Sequence, residues 1–232
     1  MGNFTIEQVK QFKESLNEYI KKYGNLYPKE VLQYIKEHFL GMEFSLGIAI
    51  DVMNQVYEEI GVNAFMERNL YTLSLDYLKK HYDINRRILD VGCGFFPAFS
   101  KKVANAQKSG SVKAVDYDVI TTDVPGIVVD KSTFNQDYDV SDIDFIIGLE
   151  PCEAAIDMIT VANKNDLDLC LFMCGCPHIE TRFNYERSIA YQMYLNYVIN
   201  TMEMTLPNNR DYDMEYPGFL PYPVFKTYRK KS

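Results

Sequence analysis

A glycine turn between an apolar segment and a predicted helix is the feature that most restricts how this chain can fold. Residues 87–97 read RILDVGCGFFP, and the apolar residues before the turn favour a strand that is buried on both faces. Gly92 and Gly94 allow a tight turn in which the backbone can approach a ligand closely. Pro97 suits the first turn of a helix that runs to Ala106, and the N–H groups at that end would point into a ligand crevice. The segment therefore predicts a strand–turn–helix unit with a ligand at the turn.

A second predicted strand ends in an acidic residue. The strand Val112–Asp116 begins about twenty residues after Gly94, and an acid at this spacing is typical of nucleotide-binding folds. A carboxylate at that position accepts hydrogen bonds from ribose hydroxyls. The turn and the acid together predict a nucleoside-binding site.

The glycine turn resembles the first motif of the class I S-adenosylmethionine (SAM) methyltransferases, D/E-x-G-x-G, which Asp90, Gly92 and Gly94 match. The resemblance implies SAM as the cofactor and S-adenosylhomocysteine as its product. An NAD-type Rossmann domain and a chance glycine turn are the alternatives. Phe96 stands where many of these enzymes have a third glycine, which implies less room beside the methionine end of the cofactor. The cofactor contacts implied by the resemblance are Asp90, Gly92, Cys93, Gly94, Phe95, Asp116, Tyr117, Asp130 and Glu150.

The residues after the later strands have predicted roles of their own. The resemblance places Tyr117 where it can stack on the adenine and Asp130 near the adenine amino group, although Asp130 also fits a turn residue or a helix cap. Glu150 ends the fourth predicted strand and is a candidate catalytic base or acceptor-binding group. Glu153 follows in the first turn of a helix, where an acid complements the helix dipole. His178 is the second catalytic candidate, as a general base or a substrate contact.

The predicted fold class is α/β, with a Rossmann-like sheet of the class I methyltransferase type, helices on both faces and an N-terminal all-helical extension. The expected domains are a helical cap or lid over 1–84 and a SAM-binding domain over 85–232.

The link 117–125 is shorter than the roughly dozen residues of a crossover helix, so we expect an abbreviated crossover there. Prolines after Leu206 predict no regular element before the last strand. The predicted strands are Arg87–Val91, Val112–Asp116, Gly126–Val129, Phe145–Leu149, Leu167–Met173 and Val224–Tyr228, and the predicted later helices are Cys152–Asn163 and Asn184–Met204, the latter with Ala190, Met193, Tyr194, Tyr197 and Val198 on one face.

Five cysteines raise the question of a metal site. Thiolates and imidazole are zinc ligands, and neighbouring strands would bring several of them to one edge of the sheet. However, Cys-x-Cys-x-His is tighter than the spacing of zinc knuckles, and buried thiols are common as small hydrophobic groups. We therefore predict that no metal is bound by the group Cys93, Cys152, Cys174, Cys176 and His178.

Composition narrows the class of function. A net charge of −8 disfavours nucleic acid as a partner. No window approaches about 18 uninterrupted apolar residues, so neither a membrane span nor a membrane partner is expected, and the odd cysteine count favours a reduced cytoplasmic protein. The sequence leaves the oligomeric state open, a homodimer included. The leading hypothesis is a SAM-dependent methyltransferase that modifies an O, N or S atom of a small molecule; the rivals are a non-catalytic SAM- or nucleoside-binding protein and a thiol-rich metal-binding protein on the same fold.

Overall fold

A computed structural model describes residues 70–119, 122–174 and 187–230, together with scattered helical positions between 7 and 18. In the three continuous ranges the helices are α1 (Leu70–His81), α2 (Ala98–Ala106), α3 (Ala155–Lys164) and α4 (Arg187–Thr205), with a short 3₁₀ helix at Cys152–Ala154. The strands are β1 (Arg87–Val91), β2 (Ser111–Val115), β3 (Val128–Asp130), β4 (Phe145–Leu149), β5 (Asp168–Phe172), β6 (Arg210–Glu215) and β7 (Val224–Arg229). None of the described helices combines the length and hydropathy that a membrane-spanning segment needs.

The strands form one sheet in the order β3-β2-β1-β4-β5-β7-β6. Neighbouring strands from β3 to β5 run parallel, whereas β7 is antiparallel to both β5 and β6. The chain order reverses between β1 and β4, and ligands of open α/β sheets bind in the crevice beyond the carboxyl ends of the strands at such a reversal. The predicted Rossmann-like sheet is confirmed.

Helices cover both faces of the sheet because β1 and its neighbours are apolar on both sides. Ile88 packs in the core under α1 and α2, whereas Leu89 and Val91 pack in the core under α3 and α4. All three side chains are fully buried. The glycine turn is therefore held at the edge of a three-layer core.

Helix α1 is an integral layer of this core. Its Leu75, Tyr77 and Leu78 are buried against the sheet. Tyr82 is the residue after the helix, and its hydroxyl donates to the backbone oxygen of Leu169 at 2.7 Å. The helices predicted before Leu70 lie outside the described residues, apart from the helical positions between 7 and 18. The proposed boundary at residue 84 stays a prediction.

The connections on either side of β3 contain no helix in their described residues. Between β2 and β3 the chain makes a turn at Pro125 and Gly126, so the predicted abbreviated crossover is confirmed for the residues described there. Residues 131–144, between β3 and β4, are also non-helical. Phe134 and Ile143 from this loop are buried in the same core as α3 and α4, where they cover the sheet in place of a crossover helix.

Two expectations about the C-terminal part were wrong. Residues 210–215 form strand β6 although no regular element was predicted there; the strand pairs along its whole length with β7, which local sequence does not reveal. On α4, Met193 and Tyr197 are exposed instead of sharing the buried face. The buried stripe of α4, which packs against α3, consists of Ala190, Tyr194, Leu195, Val198 and Met202.

Candidate cofactor-binding site

The glycine turn after β1 needs glycine for two separate reasons. Gly92 and Gly94 have φ angles of 72° and 76°, in the left-handed region that glycine adopts without strain. In addition, a Cβ atom on Gly92 would lie 2.9 Å from the Cα atom of Pro151, in the turn after β4. The Gly92 N–H donates to the Val115 carbonyl at 2.9 Å. The turn is thus fixed between the ends of β2 and β4.

Asp116 joins the end of β2 to the glycine turn. Its Oδ2 accepts the Gly94 N–H at 2.9 Å, and its Oδ1 accepts the Asp118 N–H at 2.9 Å. A carboxylate offers about four acceptor positions, so each oxygen can accept a further hydrogen bond from a ribose hydroxyl. The structure therefore brings together the acid and the turn as the sequence predicts.

Asp90 lies beneath the turn and is 1% exposed. The Ser100 hydroxyl in α2 donates to its Oδ2 at 2.6 Å. Burial raises the pKa of Asp90 to about 7, the Ser100 hydrogen bond acts in the opposite direction, and the charge of Asp116 raises it further. The contact anchors the turn to α2, while a direct contact between Asp90 and a cofactor stays a prediction.

The aromatic and thiol residues of the turn are largely enclosed. Phe95 is half-buried, and Phe96 is 2% exposed with the Lys13 ammonium 4.5 Å above its ring centroid. The N-terminal helical segment therefore reaches the glycine turn. Burial raises the pKa of the Cys93 thiol, whose Sγ lies 3.7 Å from the Gly94 carbonyl oxygen.

Tyr117 presents an aromatic surface next to Asp116. It is 62% exposed, as stacking on an adenine would require. Partial burial of the phenol raises its pKa, and the carboxylates of Asp118, Asp116 and Glu153 raise it further. The effect of Glu153 indicates that the start of the 3₁₀ helix lies near Tyr117.

Asp130, at the end of β3, has protein partners that sequence reasoning missed. The Tyr138 hydroxyl donates to its Oδ2 at 2.6 Å, and the Lys113 ammonium lies 3.6 Å from the same oxygen. The hydrogen bond from Tyr138 is the largest cause of the lowered pKa of Asp130. This ion pair gives Asp130 a structural role, and its predicted contact with an adenine stays a prediction.

The turn after β4 is strained and abuts the glycine turn. Glu150 and Cys152 have φ angles of 58° and 49°, in a region that residues other than glycine rarely adopt. The Glu150 N–H donates to the Phe172 carbonyl at 2.9 Å, and the Tyr194 hydroxyl donates to the Cys152 carbonyl at 3.0 Å. These bonds from β5 and α4 hold the turn that contains Glu150 against Gly92. The catalytic and cofactor-binding roles of Glu150 stay predictions.

The predicted cysteine group is only partly described. Cys152 and Cys174 approach each other, with 3.5 Å between their sulfur atoms. Cys176 and His178 lie outside the described residues. The proposed catalytic role of His178 therefore stays a prediction. Within the described ranges no set of three or more His, Cys, Asp or Glu side chains is arranged to hold a metal ion.

We expect elemental analysis of the purified protein to find no stoichiometric metal, because the cysteine and histidine spacing is too tight for a zinc knuckle. The matched variant carries Cys174→Ser and Cys176→Ser and should have the same metal content as the wild type. About one zinc ion per chain in the wild type, lost in this variant, would overturn the prediction.

The sheet and the site define the class of fold. A sheet in the order β3-β2-β1-β4-β5-β7-β6 with a reversed β7, a glycine turn after β1 and an acid after β2 has a Rossmann-like α/β architecture. The fold implied by the resemblance in the sequence is confirmed.

No protein-family model matches the sequence, and no curated protein is significantly similar to it. Several solved structures share its architecture at low identity. The magnesium protoporphyrin IX methyltransferase from Synechocystis PCC 6803 with bound SAH is 12% identical, with a TM-score of 0.47 over 94% of this chain and 99% of that chain. The precorrin-6y C5,15-methyltransferase from Geobacter metallireducens GS-15 is 12% identical, with a TM-score of 0.43 over 70% and 88%. A fibrillarin/Nop5p complex is 14% identical, with a TM-score of 0.40 over 71% and 84%. Because these identities and TM-scores are low, the fold is assigned from the strand order and turn geometry of this chain alone.

Proposed function

We propose that this protein is a SAM-dependent methyltransferase that transfers a methyl group to an O, N or S atom of a small molecule. The proposal is supported by the hydrogen bond from the Gly94 N–H to Asp116, the acid that we propose binds the ribose. The exposed ring of Tyr117 adds a stacking surface for the adenine next to this acid.

The charges around the turn favour SAM over a dinucleotide. Burial raises the pKa of Asp118, and the Asp116 carboxylate beside it raises this pKa further, so two acids lie close together next to the turn. A negative potential of this kind repels a diphosphate and stabilises the sulfonium and ammonium groups of SAM. At the start of α2, Pro97 has no N–H to offer a phosphate.

Each site residue then has a role in positioning. The glycine turn holds the cofactor, Asp116 binds the ribose hydroxyls, and Tyr117 stacks on the adenine. SAM supplies the electrophilic methyl group, so the protein contributes mainly alignment of the two reactants. Glu150, fixed by its bond to Phe172, orients the acceptor and accepts its proton where one is lost. His178 is proposed as a second acceptor contact.

The acceptor is proposed to be a small molecule enclosed by the N-terminal segment. The contact between Lys13 and Phe96 supports this arrangement, because it brings that segment next to the glycine turn. Enclosed pockets bury most of a small ligand and exclude water during the reaction. The net charge of −8 further supports a non-nucleic-acid substrate. The odd number of cysteines supports a cytoplasmic location.

We expect isothermal titration to detect binding of both SAM and S-adenosylhomocysteine. Asp116→Ala should weaken SAM binding by about 1.5–3 kcal/mol, because charge-assisted hydrogen bonds to the ribose and to the glycine turn are lost together. Incubation of the wild type with SAM and candidate acceptors should yield S-adenosylhomocysteine.

The matched control is Asp139→Ala. Asp139 accepts the N–H of Ser141, two residues ahead, just as Asp116 accepts that of Asp118, but it lies on an exposed loop. This variant should bind SAM as the wild type does. The proposal fails if the wild type binds no SAM at millimolar concentration, or if it binds NAD instead.

A lid role for the N-terminal segment predicts a specific pattern of amide hydrogen exchange. Addition of SAM to the full-length protein should slow exchange in residues 7–18 as well as in the glycine turn, because Lys13 packs over Phe96. Helix α1 serves as the control, since it is already buried against the sheet. Protection of the glycine turn without any change in residues 7–18 would show that this segment forms no lid.

A further inference from the structure

Two thiols from neighbouring strand ends meet beside the candidate cofactor site. Cys152 follows β4 and Cys174 follows β5, and these two strands pair up to Leu149 and Phe172. The Cys174 thiol points at the Cys152 sulfur over 3.5 Å, and both side chains are thiols. Cys152 is partly exposed, whereas Cys174 is only 5% exposed. An oxidant from solution therefore reaches Cys152 first, with Cys174 in place behind it.

We propose that Cys152 and Cys174 are a reversible dithiol–disulfide pair, oxidised by a small-molecule disulfide such as oxidised glutathione. The Cys152 thiolate attacks one sulfur of the oxidant, which gives a mixed disulfide and releases one glutathione thiolate. The Cys174 thiolate then attacks the Cys152 sulfur and releases the second glutathione. One S–S bond breaks and another forms, two electrons pass to glutathione, and the two thiol protons end on its two thiols.

The disulfide changes the turn after β4, which lies against the glycine turn. An S–S bond is about 2.05 Å long, so the two sulfurs must approach by about 1.5 Å. Cys152 also loses the proton with which it donates to the Glu150 carbonyl at 3.3 Å. The turn cannot move without affecting the cofactor site, because Pro151 lies against Gly92. We expect the oxidised protein to bind SAM more weakly, an effect that rests on the proposed function.

The test begins with reduced full-length protein that is incubated with oxidised glutathione. Thiols that remain are alkylated under denaturing conditions, and the peptides are mapped by mass spectrometry. We expect one Cys152–Cys174 crosslink, the loss of two alkylatable thiols and a mass lower by two hydrogen atoms. The Cys174→Ser variant should instead retain glutathione on Cys152. The Cys170→Ala variant, which lacks a buried thiol within β5, should still form the crosslink.

SAM titration of the two redox forms completes the test. Binding should be weaker in the oxidised form by roughly tenfold or more, since displacements near 1 Å in such sites have large effects, and dithiothreitol should restore it. Persistent thiols, or a crosslink to Cys176 instead, would overturn the proposed pair. Equal SAM affinity in both forms would overturn the effect on binding. If even the reduced protein binds no SAM while the crosslink forms, the proposed function fails and the thiol pair stands.

Discussion

Replacement of Arg210 by alanine is expected to lower the free energy of unfolding by about 3 kcal/mol, at the lower end of the range for breaking a buried ion pair. The guanidinium is 2% exposed and donates to the side chains of Asp166 and Asp168 and, at 2.6 Å, to the Asp166 carbonyl. Its loss removes three charge-assisted hydrogen bonds and the packing of a long side chain. The cost stays at the lower end because Arg229 and Arg86 still pair with the two carboxylates.

Arg229→Ala is the matched control. It removes an arginine that binds the same Asp166 carboxylate at 2.9 Å, but its side chain is 68% exposed. An exposed pair of this kind contributes about 1 kcal/mol or less. Urea unfolding of both variants measures the difference. Equal destabilisation by Arg210→Ala and Arg229→Ala would show that burial of the guanidinium adds nothing to the stability of the sheet edge.

The same arginine explains why β6 was not predicted from the sequence. Residues 210–215 read RDYDME, which lacks the apolar alternation of a half-buried strand. The strand forms because Arg210 reaches across to acids at the start of β5 and because β7 supplies a full set of backbone partners. Both interactions are distant in sequence. In contrast, β1 was predictable because its apolar residues and the following glycines are local signals.

Some features of the candidate site could likewise be predicted from local sequence, whereas others depend on tertiary contacts. Gly92, Gly94 and Asp116 could be identified because the chemistry of a nucleoside site requires those residue types at that spacing. The left-handed conformations of Glu150 and Cys152 were not predictable, since neither residue favours a positive φ and tertiary contacts impose it. The bond between Asp90 and Ser100 likewise depends on how α2 packs against β1.

The protonation of Asp90 leads to the second large effect, a contribution to the stability of the wild type that falls as the pH rises. Burial raises the pKa of Asp90 to about 7 in the folded protein, against about 4 in the unfolded chain. Between these values Asp90 binds more protons in the folded state than in the unfolded state, so its contribution to the free energy of unfolding decreases with increasing pH. The contribution is fully present below about pH 4 and is lost as the pH rises through about 7. A difference of about three pKa units corresponds to about 4 kcal/mol.

Asp90→Asn is expected to remove this dependence, because the amide is neutral at every pH and its oxygen can still accept the Ser100 hydroxyl. Relative to the wild type, the variant should gain stability steadily from about pH 4.5 to pH 8, up to about 4 kcal/mol, as measured by urea unfolding at a series of pH values. Asp144→Asn is the control: hydrogen bonds from Arg87 lower the pKa of Asp144 to about 2, so the difference from the wild type should be constant over the same pH range. A constant difference for Asp90→Asn as well would show that Asp90 is ionised in the folded protein at neutral pH, with the cost of its burial met by the Ser100 hydroxyl and the polar groups of the glycine turn.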